Sequence, residues 1–273
     1  MPNFFVIKDL CRQDGICASI CPVHAIKGPK GQTPFMRPDM QDVCIACGQC
    51  MAFCPHGAAR VDVLDPADML PLDRKKMPDA DAVTMLFKSR RSIRHFKKEP
   101  VPKELLQRIL DDTRHAPSAK NSRPVRWIVV HDPEKMHAVG NCAVAGLKLG
   151  LDDPTSGPVF PEAKGLVKAW GRGLDPLFRG APHLVLAVTP ANRPMAREDA
   201  CIALTYLELA ALPHNVGACW AGYITGIARQ YQPLQELLGL AAGEEVSGGQ
   251  MLGYIALRPT ASAPRRPFPV QWL

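Results

Sequence analysis

The chain has 273 residues, room for one medium domain and a small one, and a 47% hydrophobic content that supports a real core. A formal charge of +7 with only 6% aromatic residues, and no zinc-finger or helix-turn-helix signature, argues against a nucleic-acid-binding module; phosphate groups or an acidic redox partner remain as targets of the positive charge. No stretch approaches the ~18 apolar residues of a membrane span, and MPNFFVIKDL is not a signal peptide, so a soluble cytoplasmic protein from a cell with little oxygen is expected.

Seven of the ten cysteines precede Asp62. Clustered cysteines without a signal peptide point to metal ligands, not disulfides. Cys44, Cys47, Cys50, Cys54 and Pro55 read C-x2-C-x2-C-x3-C-P. Three thiolates on one tight loop can hold three irons of a cubane, and the fourth, set apart before proline, serves a second cluster. A zinc site would need two separated pairs. Shifted by 33 residues, this run meets an upstream copy: Cys44 maps to Cys11, Cys50 to Cys17, Cys54 to Cys21 and Pro55 to Pro22.

The two runs together resemble the two-cluster bacterial ferredoxin domain, over residues 1–64. The resemblance implies one site from Cys44, Cys47, Cys50 and Cys21, and another drawing on Cys11, Cys17 and Cys54. At the remaining corner Cys47 maps to Asp14. Asp14 either ligates the fourth iron of a labile [4Fe-4S] cluster through a carboxylate oxygen, leaves a [3Fe-4S] cluster, or is a solvated loop residue. His24 and His56, just after the Cys-Pro pairs, read as surface residues.

Val61–Leu64 is expected to be the last strand of the small domain. Residues 65–78, rich in proline and charge, read as a linker. A helical pattern resumes near Asp79. Arg90-Arg91-Ser92-Ile93-Arg94-His95-Phe96 then places three guanidiniums and a hydroxyl within five residues, and arginine forks match phosphate oxygens. Leu105, Leu106, Ile109 and Leu110 mark an amphipathic helix after Pro102. Ala116-Pro117-Ser118-Ala119-Lys120-Asn121-Ser122-Arg123-Pro124 leads into a strand at Trp127–Val130. Arg179-Gly180-Ala181-Pro182 precedes a strand at 183–188. A helix from Glu198 to Leu212, the loop Gly217–Tyr223, a strand at 251–257 and a basic tail with Pro264-Arg265-Arg266-Pro267 complete the chain. Residues 141–178 carry no readable pattern.

In this order the motifs R-R-S-x-R-x-F, A-P-S-x-x-N-x-x-P, G-x-C-W-x-G and R-x-P resemble the flavin-dependent nitroreductase family, over residues 79–273. Arg123-Pro124-Val125 stands where the family often has Gln-Pro-Trp. The resemblance implies an α+β domain with a central mixed sheet flanked by helices, and a homodimer with FMN at its interface. It implies that Arg90, Ser92 and Arg94, with Arg91 beside them, bind the FMN phosphate and ribityl chain. Arg265 would close on the phosphate, with Arg266 its neighbour. Pro117, Ser118 and Asn121 would approach the isoalloxazine from the partner subunit, and Ala221 and Gly222 would present backbone to the ring. Cys142, Cys201 and Cys219 read as buried packing residues. No G-x-G-x-x-G follows a strand, so no separate dinucleotide domain is expected.

Clusters move one electron at a time and flavin accepts two, so the fused modules read as a one-to-two-electron transformer. The expected function is an oxidoreductase passing electrons from a low-potential donor, such as a reduced ferredoxin, to a small electron-poor acceptor: a nitro compound, quinone or conjugated alkene. An electron relay to another protein and a cluster-gated redox sensor are the alternatives.

Overall fold

A computed structural model describes all 273 residues. It divides into two compact units: Met1–Met77 with Lys120–Ser122, and Pro78–Ala119 with Arg123–Leu273.

The first unit contains β1 (Phe4–Val6), α1 (Ile16–Ser19), β2 (Ile26–Lys27), β3 (Phe35–Met36), α2 (Gln49–Ala52) and β4 (Ala59–Val61). β1 pairs antiparallel with β4, and β2 with β3. The last strand therefore ends at Val61, not Leu64, because the Leu64 N–H turns back to the Val61 carbonyl. Helices of four residues have no stability of their own. Here they are held by burial of Cys17 on α1 and of Cys50 and Met51 on α2, against Phe4, Ile26, Met36 and Val61. The internal repeat extends to the backbone. Gln13, Gly15 and His24 have left-handed φ of 54°, 76° and 52°, and their counterparts Ala46, Gly48 and Gly57 have 46°, 70° and 57°.

The second unit opens with α3 (Ala80–Ser89), capped by the Asp79 carboxylate, which accepts from the Ala82 N–H at 2.8 Å. None of the α3 side chains is buried; Met85 and Phe87 are exposed. Then come α4 (Lys103–Asp112), β5 (Arg126–Val130), α5 (Pro133–Asp152), α6 (Ala163–Trp170), β6 (His183–Pro190), α7 (Ala196–Ala211), β7 (Val216–Trp220), α8 (Gly222–Ala228), α9 (Gln232–Leu237) and β8 (Glu244–Tyr254). The strands form one sheet in the order β5-β6-β8-β7. The expected mixed sheet is antiparallel at every pairing. β6 and β7 run parallel to each other, but β8 lies between them, so no parallel neighbours remain.

β6 is buried from His183 to Thr189, and its side chains alternate between two cores. Leu184, Leu186 and Val188 pack with residues of α5, α6 and α8. Val185 and Ala187 pack with residues of α4 and α7. The unit is thus α+β, a sheet with helices on both faces. The segment without a readable pattern forms most of α5 and all of α6. The glycines of α5 are packing positions: a Cβ at Gly140 would strike the Trp170 ring, and one at Gly146 would lie 2.8 Å from the Tyr231 ring. β8 starts earlier than expected and ends at Tyr254, after which Ile255 bridges to Phe96. No helix is long and apolar enough to cross a membrane.

Candidate functional site

In the first unit, Cys21, Cys44, Cys47 and Cys50 line one cavity walled by Phe4, Ile26, Met36 and Val61. Burial pushes the Cys50 thiol up to about 12; Cys47 adds to this, the Met51 N–H opposes it, and Cys44 and Cys17 add again. Burial likewise pushes Cys17 up to about 11, opposed by the Ala18 N–H and reinforced by Cys54, Asp14 and Cys11. Cys50 thus sits with Cys44 and Cys47, and Cys17 with Cys11 and Cys54, as the ferredoxin resemblance implies, and Asp14 lies near Cys17. The Cys54 sulfur also accepts from the Ala58 N–H at 3.3 Å. Asp14 uses one carboxylate oxygen to accept from the Ile16 N–H at 3.0 Å, opening α1. Its other oxygen lies 3.8 Å from Nε2 of His56. His56 was read from sequence only as a surface residue, because nothing in its spacing marks Asp14 as its neighbour.

These residues fit an iron–sulfur cluster on two grounds. Buried thiols with raised pKa lose their protons to cationic iron but not to water. The backbone N–H groups of Ile45, Ala46 and Cys47, and of Arg12, Gln13 and Asp14 in the repeat, have no acceptor within the protein. Of these, Ile45, Ala46 and Cys47 line the thiol-lined cavity, and free N–H donors there suit the sulfides of an anionic cluster.

In the second unit, residues 92–97 run beside the sheet end. The Ile93 N–H donates to the Ala218 carbonyl at 2.9 Å, and the Lys97 N–H to Tyr254 at 2.9 Å. Ile93 lies over Gly217, where a Cβ would come within 2.5 Å of its side chain. This fixes Arg94 at a cleft of about 290 Å³ shared with Arg179, Phe160, Cys219, Ala221, Gly222 and Met251. Burial raises the Cys219 thiol; the guanidiniums of Arg94 and Arg179 pull it down, Glu208 pushes it up and a hydrogen bond with Ser92 pulls it down. Arg94 and Arg179 therefore converge on one place, and the Arg94 guanidinium also donates to the Ser92 carbonyl at 3.5 Å. The Ala221 N–H donates to the Gly249 carbonyl at 2.9 Å, and a Cβ at Gly222 would meet nothing. Two cations and open space over a small-residue backbone fit a phosphorylated planar ring system.

Arg179 was missed as a site residue. It precedes Gly180 and holds a left-handed φ of 57°, a conformation visible only in the fold.

The other expected residues lie elsewhere in the single chain. Arg90 is paired with buried Glu208 at 2.9 Å. Arg91 makes no ion pair. Pro117 and Ser118 line a separate cleft with Asp199 and Arg123. The Asn121 amide donates to the carbonyls of Ile45 and Ala46, within the first unit. Arg265 and Arg266 lie on the exposed tail, where Arg265 bonds only the Pro264 carbonyl. Cys219 is buried as expected, Cys142 is half-buried and Cys201 is exposed.

Comparison with known proteins matches residues 87–254 to the nitroreductase family, and residues 4–27 and 39–60 to a 4Fe-4S binding domain. An iodotyrosine deiodinase of Thermotoga neapolitana is 30% identical over 141 residues, covering 49% of this chain and 69% of that protein. An NADH dehydrogenase of Thermus thermophilus is 46% identical over 67 residues, but the match covers only 24% of this chain and 32% of that protein. A nitroreductase of Bacteroides fragilis, solved with bound FMN, superposes with a TM-score of 0.57 at 21% identity, over 69% of this chain and 98% of that one. At that identity the superposition establishes the fold alone.

Proposed function

Because this chain belongs to the nitroreductase family and carries a 4Fe-4S binding domain ahead of it, we propose that it is an iron–sulfur flavoenzyme that takes electrons from a low-potential donor and delivers them to a small electron-poor organic acceptor. The observation that carries this reading is the presence, in one chain, of two thiol-rich ligand groups and a cationic cleft over Ala221 and Gly222. FMN, when bound, supplies the exchange between one-electron and two-electron chemistry that joins such a donor to an organic acceptor.

In this reading Arg94, Arg179 and Ser92 hold the FMN phosphate, and the Ala221–Gly222 backbone lies against the ring. Gly222 leaves room because nothing but hydrogen projects there. Arg90 orders the same stretch through its ion pair with Glu208. Cys11, Cys17 and Cys54, with Asp14 at the fourth corner, hold one cluster; Cys21, Cys44, Cys47 and Cys50 hold the other. The protein acts as a homodimer, which would cover the unburied α3 face with Met85 and Phe87 and bring Pro117, Ser118, Arg265 and Arg266 of one subunit to the other's cleft.

Two measurements test this. Anaerobically purified protein is expected to contain FMN, iron and acid-labile sulfide in a fixed ratio. With reduced ferredoxin as donor it is expected to consume a nitro compound, quinone or conjugated alkene from a panel. Reduction of a redox protein with no small acceptor consumed would replace the enzyme reading with an electron relay.

A further inference from the structure

The loop between Cys44 and Cys47 has an unusual external support. The Asn121 side-chain nitrogen donates to the Ile45 carbonyl at 3.1 Å and to the Ala46 carbonyl at 3.0 Å, from about 75 positions away in sequence. One nitrogen thus serves two successive carbonyls. Two carbonyl acceptors also fix which end of the amide points there, since its oxygen would repel both.

The chain reaches this point at a conformational cost. Lys120, Asn121 and Arg123 all have left-handed φ, at 53°, 52° and 44°, without a glycine among them. Such backbone persists only where its surroundings impose it. The base of the loop is tied down: the Arg123 N–H donates to Ser118 Oγ at 2.9 Å, and the Ala119 N–H to Asp199 Oδ1 at 2.9 Å. On the receiving side Ala46 also has a left-handed φ, of 46°.

We infer that Asn121 is a positioning residue for the Cys44–Cys47 cluster loop, holding its peptides so that their N–H groups face the bound cluster; this rests on the cluster reading above. Every peptide here is trans, so each N–H points opposite to its own carbonyl. The Ile45 carbonyl shares a peptide with the Ala46 N–H, and the Ala46 carbonyl with the Cys47 N–H. Holding both carbonyls on Asn121 turns both N–H groups away from it. Those are N–H groups that lack an acceptor within the protein, and Ile45, Ala46 and Cys47 line the cavity of thiols. N–H donors to cluster sulfur stabilise the extra negative charge of the reduced state and raise the potential. In the repeat no side chain reaches the corresponding carbonyls of Arg12 and Gln13; the Gln13 carbonyl instead accepts from the Gly31 backbone N–H at 2.8 Å.

The test is an EPR-monitored redox titration of the full chain with clusters loaded, comparing wild type, Asn121→Ala and Asn121→Asp. The signal of the Cys44 set is assigned by its loss in Cys47→Ser. Both Asn121 variants are expected to shift that signal to lower potential and leave the other cluster's titration unmoved. Selective loss of iron from that set alone would support the same role. Wild-type iron content with wild-type potentials for both clusters in both variants would overturn it. A wild-type chain lacking acid-labile sulfide would remove the cluster reading itself, and this inference with it.

Discussion

Arg90 donates to the carboxylate of Glu208 across 2.9 Å, joining the start of the arginine-rich stretch to a buried position on α7. Removing the cation would leave that carboxylate unpaired. Arg90→Ala is expected to destabilise the chain by about 2 kcal/mol, less than for a fully enclosed pair because the Arg90 side chain is 35% exposed. Urea unfolding against the exposed control Arg258→Ala would check it; equal losses would mean the pair contributes nothing.

Arg94 and Arg179 are expected to recognise a phosphate. Alanine at either should weaken FMN binding roughly tenfold or more, the cost of a charge-assisted hydrogen bond. Riboflavin, which lacks the phosphate, should bind wild type and variants alike. Titration by flavin fluorescence quenching distinguishes the cases, and an equal loss for both flavins would point to collapse of the cleft instead.

Asp14 occupies the corner where its repeat has Cys47. In the reading in which Asp14 holds the fourth iron through a carboxylate oxygen, that iron is the labile one. A mild chelator should draw about one iron from the wild-type cluster pair and none from Asp14→Cys, whose four thiolates match the other set. Iron analysis with Mössbauer spectra would read the difference; identical chelator resistance would contradict it.

His183 is fully buried, accepts from the Val101 N–H at 2.8 Å and stacks on His131 at 4.4 Å. Burial first, and the charge of His131 second, hold its pKa down to about 4. The native chain therefore refuses a proton that the unfolded chain accepts near pH 6.5. This term is without effect above that pH and costs up to about 3 kcal/mol as pH falls towards 4. Unfolding free energies at pH 7 and pH 5 should differ more for wild type than for His183→Gln; equal differences would exclude the term.

Gly150 on α5 faces the Pro158 carbonyl oxygen, which an added Cβ would strike. A backbone atom cannot rotate away as a side chain does. Gly150→Ala is expected to cost about 2 kcal/mol, despite alanine's better helix propensity, and to lower the calorimetric midpoint. A raised midpoint would show that the segment after α5 yields.

The parts legible in the sequence share a cause. The cysteines of the 4Fe-4S binding domain lie on short local runs with a fixed spacing, and the repeat doubles the signal. β6 and the apolar stripe of α4 were readable because their periods are simple. α5 was not, because Gly140, Gly146 and Gly150 replace the expected apolar residues where other groups press on the helix. Arg179 was passed over because its convergence with Arg94 exists only once residues 85 positions apart are folded together. The same holds for Asn121, whose motif pointed to a flavin while its side chain meets Ile45 and Ala46.

The repeat in the first unit has a consequence for how change accumulates in it. Cys21, from the first half, lines the cavity with Cys44, Cys47 and Cys50 from the second. The halves of this duplication are thus no longer separable copies: a lesion at Cys21 is a defect of its sister's site, and neither half can drift alone. The one ligand-run position that has departed, Asp14 in place of a cysteine, lies with Cys11 and Cys54 near Cys17, away from the cavity of Cys21, Cys44, Cys47 and Cys50.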